Sequence, residues 1–90
     1  MSNHTSEALL SEKLDECRKI VLVNKFYYHY RSPSDYYKVL DLGLDEATEK
    51  VVVIYQAQFG KNLIWTRDID IWCESVEHNG RMISRFNIVK

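Results

Sequence analysis

From Lys25 onward the chain consists of short aromatic and β-branched runs separated by turn-forming residues, and this texture restricts the fold more than any other feature of its 90 residues. Val, Ile, Tyr, Phe and Trp suit a pleated, half-buried surface, so such runs read as strands of an antiparallel meander. The pattern predicts strands near residues 25–31, 36–44, 50–59, 62–67, 72–78 and 81–89. Ser32-Pro33-Ser34-Asp35 breaks the first pair, because Pro offers no backbone donor and its polar neighbours favour turns. Residues 44–49 make the second connection and Gly60-Lys61-Asn62 the third. Asn79-Gly80 is the sharpest local signal, since both residues tolerate the positive φ angles of a two-residue type I′ hairpin turn.

That turn fixes a register. His78 faces Arg81, Val76 faces Ile83 and Glu74 faces Arg85 on one side, while Glu77–Met82 and Cys73–Phe86 fall on the other. Segment 50–59 alternates Val51, Val53, Tyr55 and Phe59 with Val52, Ile54, Gln56 and Gln58. It is apolar on both faces at its start, as expected of a central strand.

Ahead of the meander, Leu10, Leu14, Cys17 and Val21 recur at helical spacing, with Leu9 and Ile20 widening the stripe. This predicts an amphipathic helix over 6–22, capped by Thr5 or Ser6, with Glu7 against its positive end and Arg18 and Lys19 against its negative end. Residues 1–5 are polar and read as a frayed end. The β-branched run Ile20 to Val23 leaves the far boundary open between helix and strand. The apolar stripe must be covered, either by the chain's own β-sheet or by a homodimer seam or partner. The expected organisation is a helical segment, 1–24, followed by a β-barrel domain, 25–90.

Composition narrows the classes of function. With 46% apolar and 28% charged residues the chain can offset its conformational entropy, and its length holds one core. Twelve basic residues against thirteen acidic ones give a net charge of −1, which provides no general field for polyanions or anionic lipid. Cys17 and Cys73 form no CxxC pair, and the start of the chain lacks a basic segment followed by an apolar run. A cytoplasmic protein with free thiols is expected. Val51 to Tyr55, the longest apolar run, is far short of the roughly 20 residues of a membrane-crossing helix, so no membrane partner is expected.

One ordered series of motifs resembles a known family. Tyr27-Tyr28-His29-Tyr30, Tyr37-Lys38-Val39-Leu40, the run Val53 to Gly60, Trp65-Thr66-Arg67, Asn79-Gly80 and Arg85-Phe86 resemble, in order and spacing, the small bacterial domain of unknown function called DUF1653. The resemblance covers residues 25–88 and departs at Tyr28, where family members carry Arg, and at Asp68 and Ser84, where they carry Pro. It implies a mainly β (α+β) fold, an N-terminal helix plus a small antiparallel SH3-like barrel, and it implies little chemistry.

Catalytic motifs are missing: the sequence contains no GxSxG, HExxH, P-loop or GxGxxG. His4, His29, His78, Cys17 and Cys73 show no metal-ligand spacing, and Asp68-x-Asp70 is only a two-carboxylate fragment, so neither a metal nor another cofactor is expected. Asp41 with Asp45, or Asp68 with Asp70, reads more simply as solvated turn charge than as an acid–base pair. A nucleophile at Cys73 beside His29 or His78 is the enzyme alternative, although thiols on strands are commonly inert packing groups.

The candidate ligand site is Tyr27, His29, Tyr55, Gln56, Trp65, Arg67 and Arg85, residue types the family pattern shares. Each joins a flat body to a polar tip. In a meander His29, Gln56 and Arg67 would bring polar groups together over an aromatic wall, which suits a cleft for a peptide, a protein segment or a small anionic ligand. The competing account is that the rings fill a small barrel, with Arg67 or Arg85 satisfied by a carboxylate such as Glu74. Aromatics interleaved with Arg can also stack RNA or single-stranded DNA, but here Lys61 and Arg67 are answered by Asp68 and Asp70. The expected function is a non-catalytic binding module, with the nucleic-acid binder and the Cys/His enzyme as alternatives.

Overall fold

The computed structural model describes residues 5–90. Its elements run α1 (Glu7–Arg18), β1 (Phe26–His29), β2 (Tyr36–Leu44), β3 (Val51–Ala57), β4 (Ile64–Asp68), α2 (Ile69–Trp72), β5 (Ser75–His78), β6 (Arg81–Ser84) and β7 (Phe86–Ile88). Strands β4-β3-β2-β1-β7 form a five-stranded antiparallel sheet, and β5 and β6 form a separate two-stranded hairpin. The protein is therefore mainly β with an N-terminal helix. The expected SH3-like barrel is not formed among the described residues, because β4 and β7 each pair on one side only.

The reason is visible at Ser84 and Arg85. The Arg85 N–H donates to the Glu74 carbonyl at 3.0 Å, extending the β5–β6 ladder, while its carbonyl accepts from the Tyr30 N–H at 2.9 Å, extending β1–β7. One bent segment thus serves both sheets, and the sheet turns a corner instead of closing on itself.

Register assigns the side chains to two faces. Tyr27 pairs with Tyr37 and Ile88, Tyr37 with Ala57, Val39 with Tyr55, Tyr55 with Trp65, and Val53 with Arg67. These residues share the inner face with His29, Leu42, Val51 and Phe86. Leu40 is an extra residue in β2, between the pairs Val39–Tyr55 and Asp41–Ile54. That bulge rephases the strand, so Val39 and Leu42, three positions apart, are both buried.

The inner face is covered by two helical pieces. Asp68 accepts a hydrogen bond from the Asp70 N–H at 2.9 Å and so caps α2, a single turn that buries Ile69 and Trp72. The expected strand over 72–78 therefore starts only at Ser75. Trp72 stacks on Phe86 with centroids 3.7 Å apart and lies edge-to-face against Tyr27 and Tyr55 at 5.5 and 4.9 Å. On the other side Leu14 and Cys17 of α1 pack against the core, and Val21, just past the helix, is fully buried.

Helix α1 thus docks on its own sheet, although it ends four residues before the expected boundary. Residues 20–23 extend neither helix nor strand, and Leu9 and Ile20, expected to widen the apolar stripe, are instead exposed at 58% and 67%. Ser6 sits at the N-cap without a side-chain cap bond, while Thr5 donates through N and Oγ1 to the Glu49 carboxylate at 2.8 and 2.9 Å. Of the expected frayed end, residues 1–4 lie outside the described residues.

The hairpin register agrees with expectation from Val76 to Ile83, but the expected Cys73–Phe86 pair does not form, because Cys73 ends α2 and Phe86 pairs with His29. Asn79 and Gly80 adopt φ of 53° and 76°, and His78–Arg81, Glu77–Met82 and Val76–Ile83 are paired. The Glu74–Arg85 pair continues as an ion pair at 2.6 Å.

Candidate functional site

A pocket of about 480 Å³ opens at the β3–β4 end of the inner face, lined by Tyr37, Tyr55, Ala57, Phe59, Gly60, Lys61, Leu63, Trp65 and Arg67. Strand alternation puts Tyr37, Tyr55, Ala57, Trp65 and Arg67 there in register. The β3–β4 loop adds the rest, held by three left-handed or turn interactions. Asn62 has φ of 56° and Gly60 of 59°, and the Asn62 side-chain amide donates to the Ala57 carbonyl at 3.0 Å.

The wall is an edge-to-face aromatic array, with Tyr37 5.4 Å from Tyr55 and 5.3 Å from Phe59 between ring centroids. Trp65 is 51% exposed, so about half its indole is available to a ligand. Arg67 reaches from the floor with its guanidinium carbon 5.3 Å from the Phe86 ring centroid. It forms no ion pair with a carboxylate among the described residues, whereas Arg18, Lys19, Lys50 and Arg85 all do. The expectation that Asp68 answers Arg67 does not hold, because Asp68 points to the opposite face and pairs with Lys50 at 3.6 Å.

The electrostatics agree with a cationic centre at Arg67. Burial, and then the Arg67, Arg85 and Arg31 guanidinium groups, hold the His29 imidazole below its ordinary pKa. His29 Nδ1 accepts from the Arg31 N–H at 3.2 Å, which places the proton of the neutral ring on Nε2. Burial, then Tyr55 and Asp35, raise the Tyr37 phenol above its ordinary value, with Arg67 acting in the opposite sense.

The structure separates the seven residues selected from the sequence. Tyr55, Trp65 and Arg67 line the pocket. His29 lies beside it, edge-to-face on Phe86 at 5.2 Å and within the field of Arg67. Tyr27 is a buried core residue whose hydroxyl accepts from the Leu22 N–H at 3.0 Å, and Arg85 is engaged by Glu74. Gln56 does not join the others: it follows Tyr55 in the strand, so it points to the outer face, where it donates to the Asn62 carbonyl at 3.0 Å. Tyr37, Phe59, Lys61 and Leu63 were missed. Phe59 shares the parity of Tyr55 and could have been added on that ground alone.

Alternative chemistry finds little support in the geometry. The Cys73 thiol is raised by burial, then by Cys17 and Asp70, and neither His29 nor His78 hydrogen-bonds it among the described residues. Both cysteines are free. No group of three or more His, Cys, Asp or Glu side chains able to hold a metal occurs among the described residues, nor does a helix long and apolar enough to cross a membrane.

Comparison with known proteins bears on this arrangement directly. A family model described as a protein of unknown function, DUF1653, matches residues 25–88, which span every residue of the pocket. The chain belongs to the DUF1653 family. A crystal structure of a DUF1653 protein from Bordetella bronchiseptica resembles it with a TM-score of 0.66 at 29% identity, covering 78% of this chain and 90% of that one. No curated protein matches. The DUF1653 match begins just ahead of β1, so α1 lies outside it.

Proposed function

We propose that this DUF1653 protein is a non-catalytic, cytoplasmic binding module whose inner-face pocket takes a carboxylate- or phosphate-bearing group attached to an apolar or planar body. The group can be presented by a peptide or protein partner or by a free small anion. One observation carries the reading: Arg67 stands at an open, ring-lined pocket without a carboxylate partner among the described residues. A guanidinium in such surroundings forms strong, charge-assisted bonds with oxyanions, and its aromatic neighbours supply contact area for the attached body. The pocket lining holds only Arg67 and Lys61 as cations, and with a net charge of −1 this favours a small anionic group over a polyanionic nucleic-acid backbone.

Benzoate and phenyl phosphate serve as probes. Titration of each, followed by the Trp65 indole N–H resonance, is expected to shift that signal saturably at about millimolar concentration. Arg67→Gln should weaken the response about tenfold or more while the fold is retained. Equal affinity in Arg67→Gln, or no response from Trp65 to either anion, would overturn the reading.

A further inference from the structure

The pocket lies beside an open sheet edge, and the two features have a common geometry. Strand β4 pairs with β3 on one side and with nothing on the other among the described residues. The Ala57 N–H donates to the Leu63 carbonyl at 2.9 Å, which fixes the phase of the antiparallel ladder. With 57 and 63 as a hydrogen-bonded pair, Trp65 and Arg67 also direct their backbone groups inward to β3. Ile64 and Thr66 therefore direct their N–H and C=O groups outward, where no described residue meets them.

Natural edges are usually blunted by Pro, inward-pointing charge, a bulge or a covering element. The stretch Leu63-Ile64-Trp65-Thr66 has none of these, the one inward-pointing charge of β4 being Arg67 beyond it, and Leu63, Ile64 and Trp65 are exposed at 54%, 59% and 51%. The opposite edge, β7, has only three residues, and its Phe86 is buried beneath Trp72. Of the two edges of the five-stranded sheet, the longer and more exposed is thus the strand that carries the pocket's indole and its guanidinium.

We infer that the partner is an extended peptide segment that adds to β4 as a sixth strand, bonding to the Ile64 and Thr66 backbones and placing alternate side chains on the inner face. This rests on the pocket reading above and names its ligand class. Side chains alternate with a period of two along a strand, so the guest residue facing Trp65 and the one facing Arg67 stand two positions apart. The first fits an apolar or aromatic side chain. The second fits Asp or Glu, since the Arg67 guanidinium stands on the inner face of β4 at the pocket with no carboxylate paired to it among the described residues. The recognised chemistry is an extended segment of the form apolar-x-acidic, in either chain direction.

The full-length protein, immobilised, is panned against a phage-displayed library of random heptapeptides, and enriched peptides are resynthesised. The expected result is enrichment of an apolar or aromatic residue two positions from Asp or Glu, with binding reduced about tenfold or more in Arg67→Gln. N-methylation of the guest amides that face β4 should cost about tenfold, while methylation of the intervening amides should not. Thr66→Pro removes one outward N–H without removing a β3–β4 bond and should weaken binding similarly. Should that variant misfold, the methylated peptides still decide the matter.

Binding that depends on Arg67 but is indifferent to the N-methyl pattern would overturn strand addition and leave the pocket reading standing. No enrichment, with benzoate or phenyl phosphate still bound, likewise overturns strand addition alone. No enrichment and no anion binding defeats both. A dimer in light scattering that Thr66→Pro converts to monomer would assign the edge to a second copy of this chain and overturn the proposal.

Discussion

The protein contains two tryptophans, and the fold gives them opposite tasks, so their replacement by alanine should separate stability from recognition. Trp72 is 2% exposed, stacked on Phe86 at 3.7 Å and flanked by Tyr27 and Tyr55. Trp72→Ala removes the centre of this array and leaves a void that a four-residue helical turn cannot collapse to fill. Such truncations cost about 3–5 kcal/mol. A domain of this size holds only about 5–13 kcal/mol, so about a quarter or more of its stability disappears. Each kcal/mol moves the midpoint by about 4–8 °C at this length, which gives a fall of at least about 12 °C. Trp65, half exposed at the pocket mouth, should cost about 1 kcal/mol or less. Urea denaturation followed by far-ultraviolet circular dichroism measures both at once. Equal losses in the two variants, or a larger loss for Trp65→Ala, would refute the division between core and site.

Three further outcomes follow from the geometry. Gly80→Ala, at φ of +76°, should destabilise the β5–β6 hairpin by about 1 kcal/mol through its left-handed backbone, read as faster amide exchange in residues 75–84. His29 has a folded pKa below its unfolded value, so its contribution is fully present above the unfolded pKa of about 6.5 and declines as pH falls through the folded value. Stability measured by denaturation across that window should decline less in His29→Asn, and Arg67→Gln should raise the His29 pKa seen by NMR. The Cys73 thiol, held above its ordinary value, should react more slowly with iodoacetamide at neutral pH than free cysteine does, and accelerate as pH rises.

What could be read from the residues and what could not divide along physical lines. Strand β2 coincides with the predicted 36–44, and the Asn79-Gly80 register holds, because aromatic and β-branched runs and positive-φ turns act locally. The bulge at Leu40 was invisible, since one extra residue leaves composition unchanged while exchanging the faces beyond it. Trp72 reads as the start of a strand over 72–78, yet Asp68 caps residues 69–72 into a turn whose stability comes from burying Trp72 against Phe86, a contact distant in sequence. Gln56 was grouped by residue type against its own alternation with Tyr55, and the sheet followed the alternation. Arg67 and Arg85 were grouped together as candidate site residues. The Asn79-Gly80 register already sets Glu74 opposite Arg85, but only the fold leaves Arg67 facing the pocket.

Central to the account is that the inner rim, and not the reverse side of the sheet, receives the ligand. Side-chain NMR shifts of the uniformly labelled protein, titrated with the tightest heptapeptide from the selection, test this most directly. Perturbations should centre on Trp65, Arg67, Tyr37 and Phe59 and leave Phe26, Tyr28 and Tyr36 unmoved. Shifts confined to those three outer-face rings would contradict it.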